Sequence, residues 1–323
     1  MRRREFITLL GGAAAARPLG VQAQETGRSY RLGLLNPLPR EMPQFVSFFD
    51  ELRRFGFVEG QNLMVDGRGF ASRPEQFAER AVEIVKSGVS VVVCGGDVAM
   101  RAAQQATATV PLLGISDDML AQHHVSSLAR PDGNTTGISI LATELDGKRQ
   151  EILMELVPAA RRIGAVADRA TTAPSHLEAL QDAARRRGIE LSIHQVARPE
   201  EIGPAIEAAH TSGVQAINVL ATALLNAQRR LIFERTAVLR LPAIYQFPES
   251  AEDGGLFGYG SRISEIYRQV ARQVVKILRG AKLSDVPVEQ PTTFELVINL
   301  RTAKALGLEV STTMLNRADK VIE

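Results

Sequence analysis

Val89-Ser90-Val91-Val92-Val93-Cys94-Gly95-Gly96-Asp97-Val98 is the stretch on which the fold turns. Apart from Ser90, Val89 to Cys94 is apolar, with β-branched residues on both faces, which fits a strand buried between two layers rather than one with a wet side. Gly95-Gly96-Asp97 then turns the chain, and a helical pattern runs from Val98 to about Thr107. Strand, glycine turn and helix in that order make one βα unit of a parallel sheet covered by helices. The same alternation extends in both directions. Upstream lie a strand at Tyr30 to Leu35 and a helix marked by Phe45, Phe48, Phe49, Leu52 and Phe55. A strand near Leu63 to Val65 and a helix carrying Phe77, Ala81, Ile84 and Val85 follow. Downstream, Val110 to Ile115 is a strand, and Gly137 to Leu141 closes the group.

The pattern then restarts. A helix over Arg149 to Val157 stops at Pro158, which cannot continue it. Strands are expected at Ile163 to Ala167, Ile189 to Val196, Val214 to Leu220, Ala243 to Gln246 and Leu256 to Tyr259. Helices alternate with them, including a single one from Leu224 to Leu239 and an amphipathic one from Ile263 to Ile277 that ends at Gly280. Two such groups predict an α/β protein of two doubly wound parallel-sheet lobes. The first is expected to hold 28–141 plus 260–283 and the second 142–259 plus 284–323. The alternative is one large sheet. Without a Pro-, Gly- or Ser-rich linker, the crossings should be short hinges.

The amino terminus reads differently. Arg2-Arg3-Arg4 precedes an apolar run from Ile7 to Ala16, and Val21-Gln22-Ala23 supplies small residues for cleavage. That is the layout of an export signal over residues 1–23. The apolar run is about half the roughly 20 residues a membrane-spanning helix needs. Arg3-Arg4-Glu5-Phe6 looks like the twin-arginine motif, the alternative being a general secretory signal. Residues 1–23 carry a net +3 while the whole chain carries +2, so the remainder stands near −1 and has no basic bias toward nucleic acid. The periplasm is the expected location. Cys94 is the single cysteine, so no intramolecular disulfide forms, and its apolar setting marks a buried structural thiol.

Catalytic signatures are absent: there is no G-x-S-x-G, H-E-x-x-H, P-loop or strand-linked G-x-G-x-x-G. His123-His124 lacks a spaced partner for a metal, and Asp117-Asp118 lacks a second acid or nucleophile. No cofactor and no metal are expected. Asn134-Thr135-Thr136 matches a glycosylation triplet but reads as a turn. Ligands of open parallel sheets bind beyond the carboxyl ends of strands. Those ends offer Asn36, Gly96, Asp97, Ser116 and Asp117 in the first group, facing Asp168, Thr222, Gln246 and Phe247 in the second. Asp97 with Asp117 suits an ammonium, helix amino ends suit a carboxylate, and Phe247 suits a ring. Together they suit a zwitterion.

A family resemblance runs over nearly the whole chain. It is carried by Gly56-Phe57-Val58-Glu59-Gly60-Gln61-Asn62, by Ala129-Arg130-Pro131-Asp132-Gly133-Asn134-Thr135-Thr136-Gly137, and by Leu145-Asp146-Gly147-Lys148-Arg149. Leu241-Pro242-Ala243-Ile244-Tyr245 and the run Gln290-Pro291-Thr292-Thr293-Phe294-Glu295-Leu296-Val297-Ile298-Asn299-Leu300 complete it. The chain resembles the tryptophan/tyrosine-type substrate-binding proteins of ABC transporters. The resemblance implies a type I periplasmic-binding fold with three hinge crossings, capture of a small solute, an ABC permease as partner and no catalysis; a monomer is expected. Asp132-Gly133 replaces the usual Gly-Gly, His123-His124 replaces smaller residues, and Val98-Ala99 lacks the usual Thr-Pro-like pair; these departures bear on the ligand rather than the fold. Competing classes are a ligand sensor docking on a membrane receptor and an exported α/β enzyme. Neighbouring permease and ATPase genes would separate transport from sensing.

Overall fold

The computed structural model describes residues 29–323; the export signal expected over 1–23 lies outside them. Tyr30–Leu35 (β1), Leu63–Gly69 (β2), Val91–Gly95 (β3), Leu112–Ser116 (β4) and Thr135–Ser139 (β5) form one sheet. Its order is β2-β1-β3-β4-β5, with every pairing parallel. All five residues of β3 are buried, which is why its sequence shows no polar alternation. Cys94 lies in β3 with its thiol sealed from solvent, and burial pushes that thiol up to about 12.

Arg162–Asp168 (β6), Glu190–Val196 (β7), Ala216–Val219 (β8), Ala243–Tyr245 (β9), Phe257–Gly260 (β10), Glu295–Asn299 (β11) and Lys320–Ile322 (β12) form a second sheet. Its order is β12-β11-β10-β9-β8-β6-β7. The expected architecture of two α/β lobes holds, with one departure. β10 and β11 pair antiparallel, because the chain leaves the second sheet after β10 and re-enters from the opposite direction. The Phe294 to Leu300 run supplies β11, whose Leu296, Val297 and Ile298 are core residues. The helix expected over Leu224 to Leu239 is two helices, Ala223–Ala227 and Arg229–Val238, divided where Gln228 takes φ −101° and ψ 14°.

Three crossings join the sheets. β5 leads through Leu141 into the helix Ala142–Leu156, which packs on β8, β9 and β10. Leu141 stands at φ 57° and ψ 42°, a left-handed conformation uncommon for a leucine. β10 leads back into the helix Ile263–Leu278, which packs on the helix Pro43–Arg54 and on β3, β4 and β5. Its apolar face, with Ile266, Tyr267, Val270 and Val274, joins Phe45, Phe48 and Leu52 in one core. The chain then runs beside β5. The Thr136 hydroxyl donates to the Val286 carbonyl (2.7 Å), and the Glu289 N–H donates to the Gly137 carbonyl (2.9 Å). Passage to the second sheet follows Glu289. Among the described residues no helix is long and apolar enough to cross a membrane.

Candidate functional site

Each sheet reverses its strand order once, between β1 and β3 and between β6 and β8. Loops diverge at such points and leave a crevice. Asn36 follows β1 and Gly96 follows β3; Asp168 ends β6 and Thr222 follows β8. The two crevices face each other. Gly96, at φ 107°, comes so close to the opposite lobe that a Cβ built on it would lie 2.5 Å from the Ala223 Cβ. Only glycine fits there without displacing Ala223 or the backbone.

The first lobe binds most of its own polar groups. Asp97 begins the helix Asp97–Ala106. Its carboxylate accepts from the Ser116 hydroxyl, from the Asp117 N–H at 3.1 Å, and lies 2.8 Å from His124 Nε2. Asn36 donates to the Tyr267 hydroxyl (2.8 Å) while its Oδ1 accepts from the Leu38 N–H (3.0 Å). Asp117 is different. It is half-buried and has no ion-pair partner among the described residues. Burial, then the nearby charges of Asp97, Asp146 and Asp168, hold its carboxyl well above the usual carboxylate range.

The second lobe carries a buried ion pair behind its crevice. Arg149 donates to Asp146 from Nε (3.1 Å) and Nη2, and from Nη1 to the Tyr259 carbonyl (2.9 Å). Asp146 also accepts the Ala221 N–H (3.0 Å), just ahead of Thr222. His176 Nε2 lies 3.5 Å from Asp146, and burial holds that imidazole below its ordinary value. At the crevice itself, Thr222 caps the helix Ala223–Ala227 through Leu225 N–H (3.2 Å). Gln246 Nε2 donates to the Thr222 carbonyl (3.3 Å), which leaves Gln246 Oε1 buried without a partner. Burial raises the Asp168 carboxyl, opposed by the Ala170 N–H and by the charge of Arg101.

Two of the cavities between the lobes gather these residues. The inner one, about 40 Å³, is lined by Asn36, Gly96, Asp117, Thr222, Gln246 and Phe247, together with Asn226, Ile263 and Tyr267. The outer one, about 790 Å³, meets it at Pro37, Gly95, Gly96 and Ala223. Asp97 and Asp168 line the outer cavity with Ser72, Arg73, Phe77, Thr171, Arg198, Leu224 and Leu231. Of the residues expected at strand ends, Ser116 faces neither cavity and is held by Asp97. Both Asp97 oxygens are engaged, so this residue offers little to a ligand and already occupies the positive end of its own helix. Phe247 is buried among first-lobe apolar residues while lining the inner cavity.

Tyr267, Ile263 and Asn226 are missing from a reading of strand ends because they sit on helices. The apolar period of Ile263–Leu278 gives no sign that Tyr267 turns its hydroxyl to Asn36. His124, rather than joining His123 at a metal, bonds Asp97; among the described residues no group of His, Cys, Asp and Glu could hold a metal ion.

Two α/β lobes that enclose a polar cleft and are joined by three crossings make a type I periplasmic-binding-protein-like fold. Structures of similar fold include a conserved domain protein from Vibrio cholerae (TM-score 0.82, 23% identity, 91% of this chain and 100% of that one). Another is an ABC domain from Streptococcus pneumonia in complex with L-Trp (TM-score 0.81, 22% identity, 91% and 100% covered). The chain belongs to the ABC transporter substrate binding protein family, whose model matches residues 44–322. A curated relative, a tyrosine-binding protein from Clostridioides difficile (strain R20291), is 22% identical over 264 residues, 81% of this chain and 76% of that one.

Proposed function

We propose that this chain is the extracytoplasmic solute-binding component of an ABC importer, that it is not an enzyme, and that it captures an amino acid between its lobes by hinge closure. One observation carries the solute class. Asp117 and Gln246, from opposite lobes, line one small cavity; among the described residues Asp117 has no cation paired to it and Gln246 Oε1 is buried without a hydrogen-bond partner. An ammonium group supplies the missing charge and N–H donors in one compact head. The inner cavity suits that head and the outer one the rest of the solute. Phe77, Leu224 and Leu231 give the outer cavity apolar wall, and Arg73, unpaired among the described residues, faces a carboxylate there. The L-Trp and tyrosine named for the relatives fit this division of head and ring.

The lobes in this reading are 28–141 with 260–289 and 142–259 with the tail from 290; the bonds along β5 support carrying the first lobe past 283. Residues 1–23 direct export, an ABC permease receives the closed form, and the chain works as a monomer without nucleic acid. The chain contains no tryptophan, so emission from added L-tryptophan is free of a protein background. Titration with L-tryptophan and L-tyrosine, alongside their deaminated analogues, tests the reading. The amino acids should bind and the analogues should not, and Asp117→Ala should weaken binding by about 30-fold or more. Equal binding of the analogues removes the ammonium assignment. No binding of either amino acid removes the solute class.

A further inference from the structure

A second set of interlobe contacts lies outside the inner cavity. Arg101, one turn into the helix Asp97–Ala106, donates from Nη1 to Gln122 Oε1 (2.9 Å) and from Nη2 to the Ala170 carbonyl (3.1 Å). Gln122 Nε2 in turn donates to the Thr171 carbonyl (2.6 Å). Both donors come from connections of the first sheet, and both acceptors come from the loop that follows β6 in the second. Neither Arg101 nor Gln122 lines the inner or the outer cavity.

Both sides of this contact are built rather than incidental. Gln122 sits on a turn tied by its own N–H to the Asp118 carbonyl (2.9 Å) and by the Leu120 N–H to Asp118 Oδ1 (2.9 Å). The receiving loop is tied by the Ala170 N–H to Asp168 Oδ1 (2.9 Å) and by the Thr172 N–H to the Asp168 carbonyl (2.9 Å). Arg101 and Gln122 also brace each other, so each loses less freedom on meeting the opposite lobe. Parted lobes return both carbonyls to water. The bonds to them therefore exist only in the closed arrangement, and an interaction made in one state alone shifts the population toward that state.

We propose that Arg101 and Gln122 form a latch that sets how long the lobes stay closed, and with it the residence time of the solute, without touching the solute. The proposal rests on the hinge-closure reading above. Its test is X-ray scattering from the ligand-free protein, which reads closure whatever the solute is. Arg101→Ala combined with Gln122→Leu should give a larger radius of gyration than wild type at unchanged far-ultraviolet circular dichroism. Gln122→Leu alone should fall between. Where L-tyrosine or L-tryptophan binds, the double variant should release it roughly tenfold faster with an association rate within about twofold of wild type. Arg101→Lys separates the latch from simple charge neutralisation of Asp168. It keeps the charge but loses the two-pronged geometry, so it should resemble Arg101→Ala. Superimposable scattering of the wild type and the double variant, or Arg101→Lys behaving as wild type, overturns the latch. Failure of both amino acids to bind overturns the solute class and leaves the scattering comparison intact.

Discussion

Two buried carboxylates, Asp97 in the first lobe and Asp146 in the second, are held in opposite ways. In the second, Asp146 is matched by Arg149 within the same helix, and that arginine is itself tied to the Tyr259 carbonyl. The charge is cancelled inside the lobe. In the first, Asp97 is held by a hydroxyl, a backbone N–H and His124, with no arginine or lysine paired to it among the described residues. Asp117 stands beside it and Asp168 across the crevice. The lesson is that Asp146 is already neutralised within its lobe, while Asp97 and Asp117 have no arginine or lysine paired to them among the described residues. A solute that brings a cation completes the arrangement, and closure is how both lobes come to share it.

Substitutions can break or sharpen this contrast. The largest effect is expected from Asp146→Ala, which strands Arg149 as a buried charge without its partner; loss of one member of such a pair costs about 3–5 kcal/mol. Urea unfolding followed by circular dichroism measures it, and a loss below about 1 kcal/mol would erase the contrast. Asp97→Ala should cost less, about 2–3 kcal/mol, because the groups it leaves unpaired carry less charge. A cost equal to that of Asp146→Ala would show that Asp97 also relies on an ion pair, through His124. Asp117→Asn should act in the other direction. Its carboxyl binds a proton more tightly folded than unfolded. Its contribution is therefore fully present below the ordinary value of 3.8 and is lost as pH rises through the raised one. At pH 7 the amide should raise the thermal midpoint of the ligand-free protein by roughly 2 °C, and near pH 3 the two proteins should unfold together. A lower midpoint at pH 7 would mean that Asp117 already has a cation.

The strands were legible in proportion to their burial. β1 lies where the residues put it, while β3, expected over 89–94, runs Val91–Gly95 and β6, expected over 163–167, runs Arg162–Asp168. The antiparallel entry of β11 was not legible, since nothing in Glu295–Asn299 says which neighbour it will meet, or from which side. The division at Gln228 was hidden because Leu224, Leu225, Leu231 and Ile232 keep a helical rhythm across it. At the site, Asn36, Gly96, Asp117, Thr222, Gln246 and Phe247 come around one cavity because a parallel sheet delivers every strand end to the same edge. The same rule also selected Ser116 and Asp97, whose partners lie within the lobe. Strand-end position says where a polar side chain emerges; whether it is already spent depends on contacts such as Asp97 with His124, far apart in sequence.

Cys94 has a practical consequence. A thiol held near 12 in the middle of β3 has almost no thiolate at neutral pH and no path to reagents. Maleimides and iodoacetamides should pass it by, so the native residue can stay. A cysteine introduced on either rim of the cleft then becomes the one reactive position in the chain. An environment-sensitive fluorophore attached there would make this protein an optical sensor of its own solute.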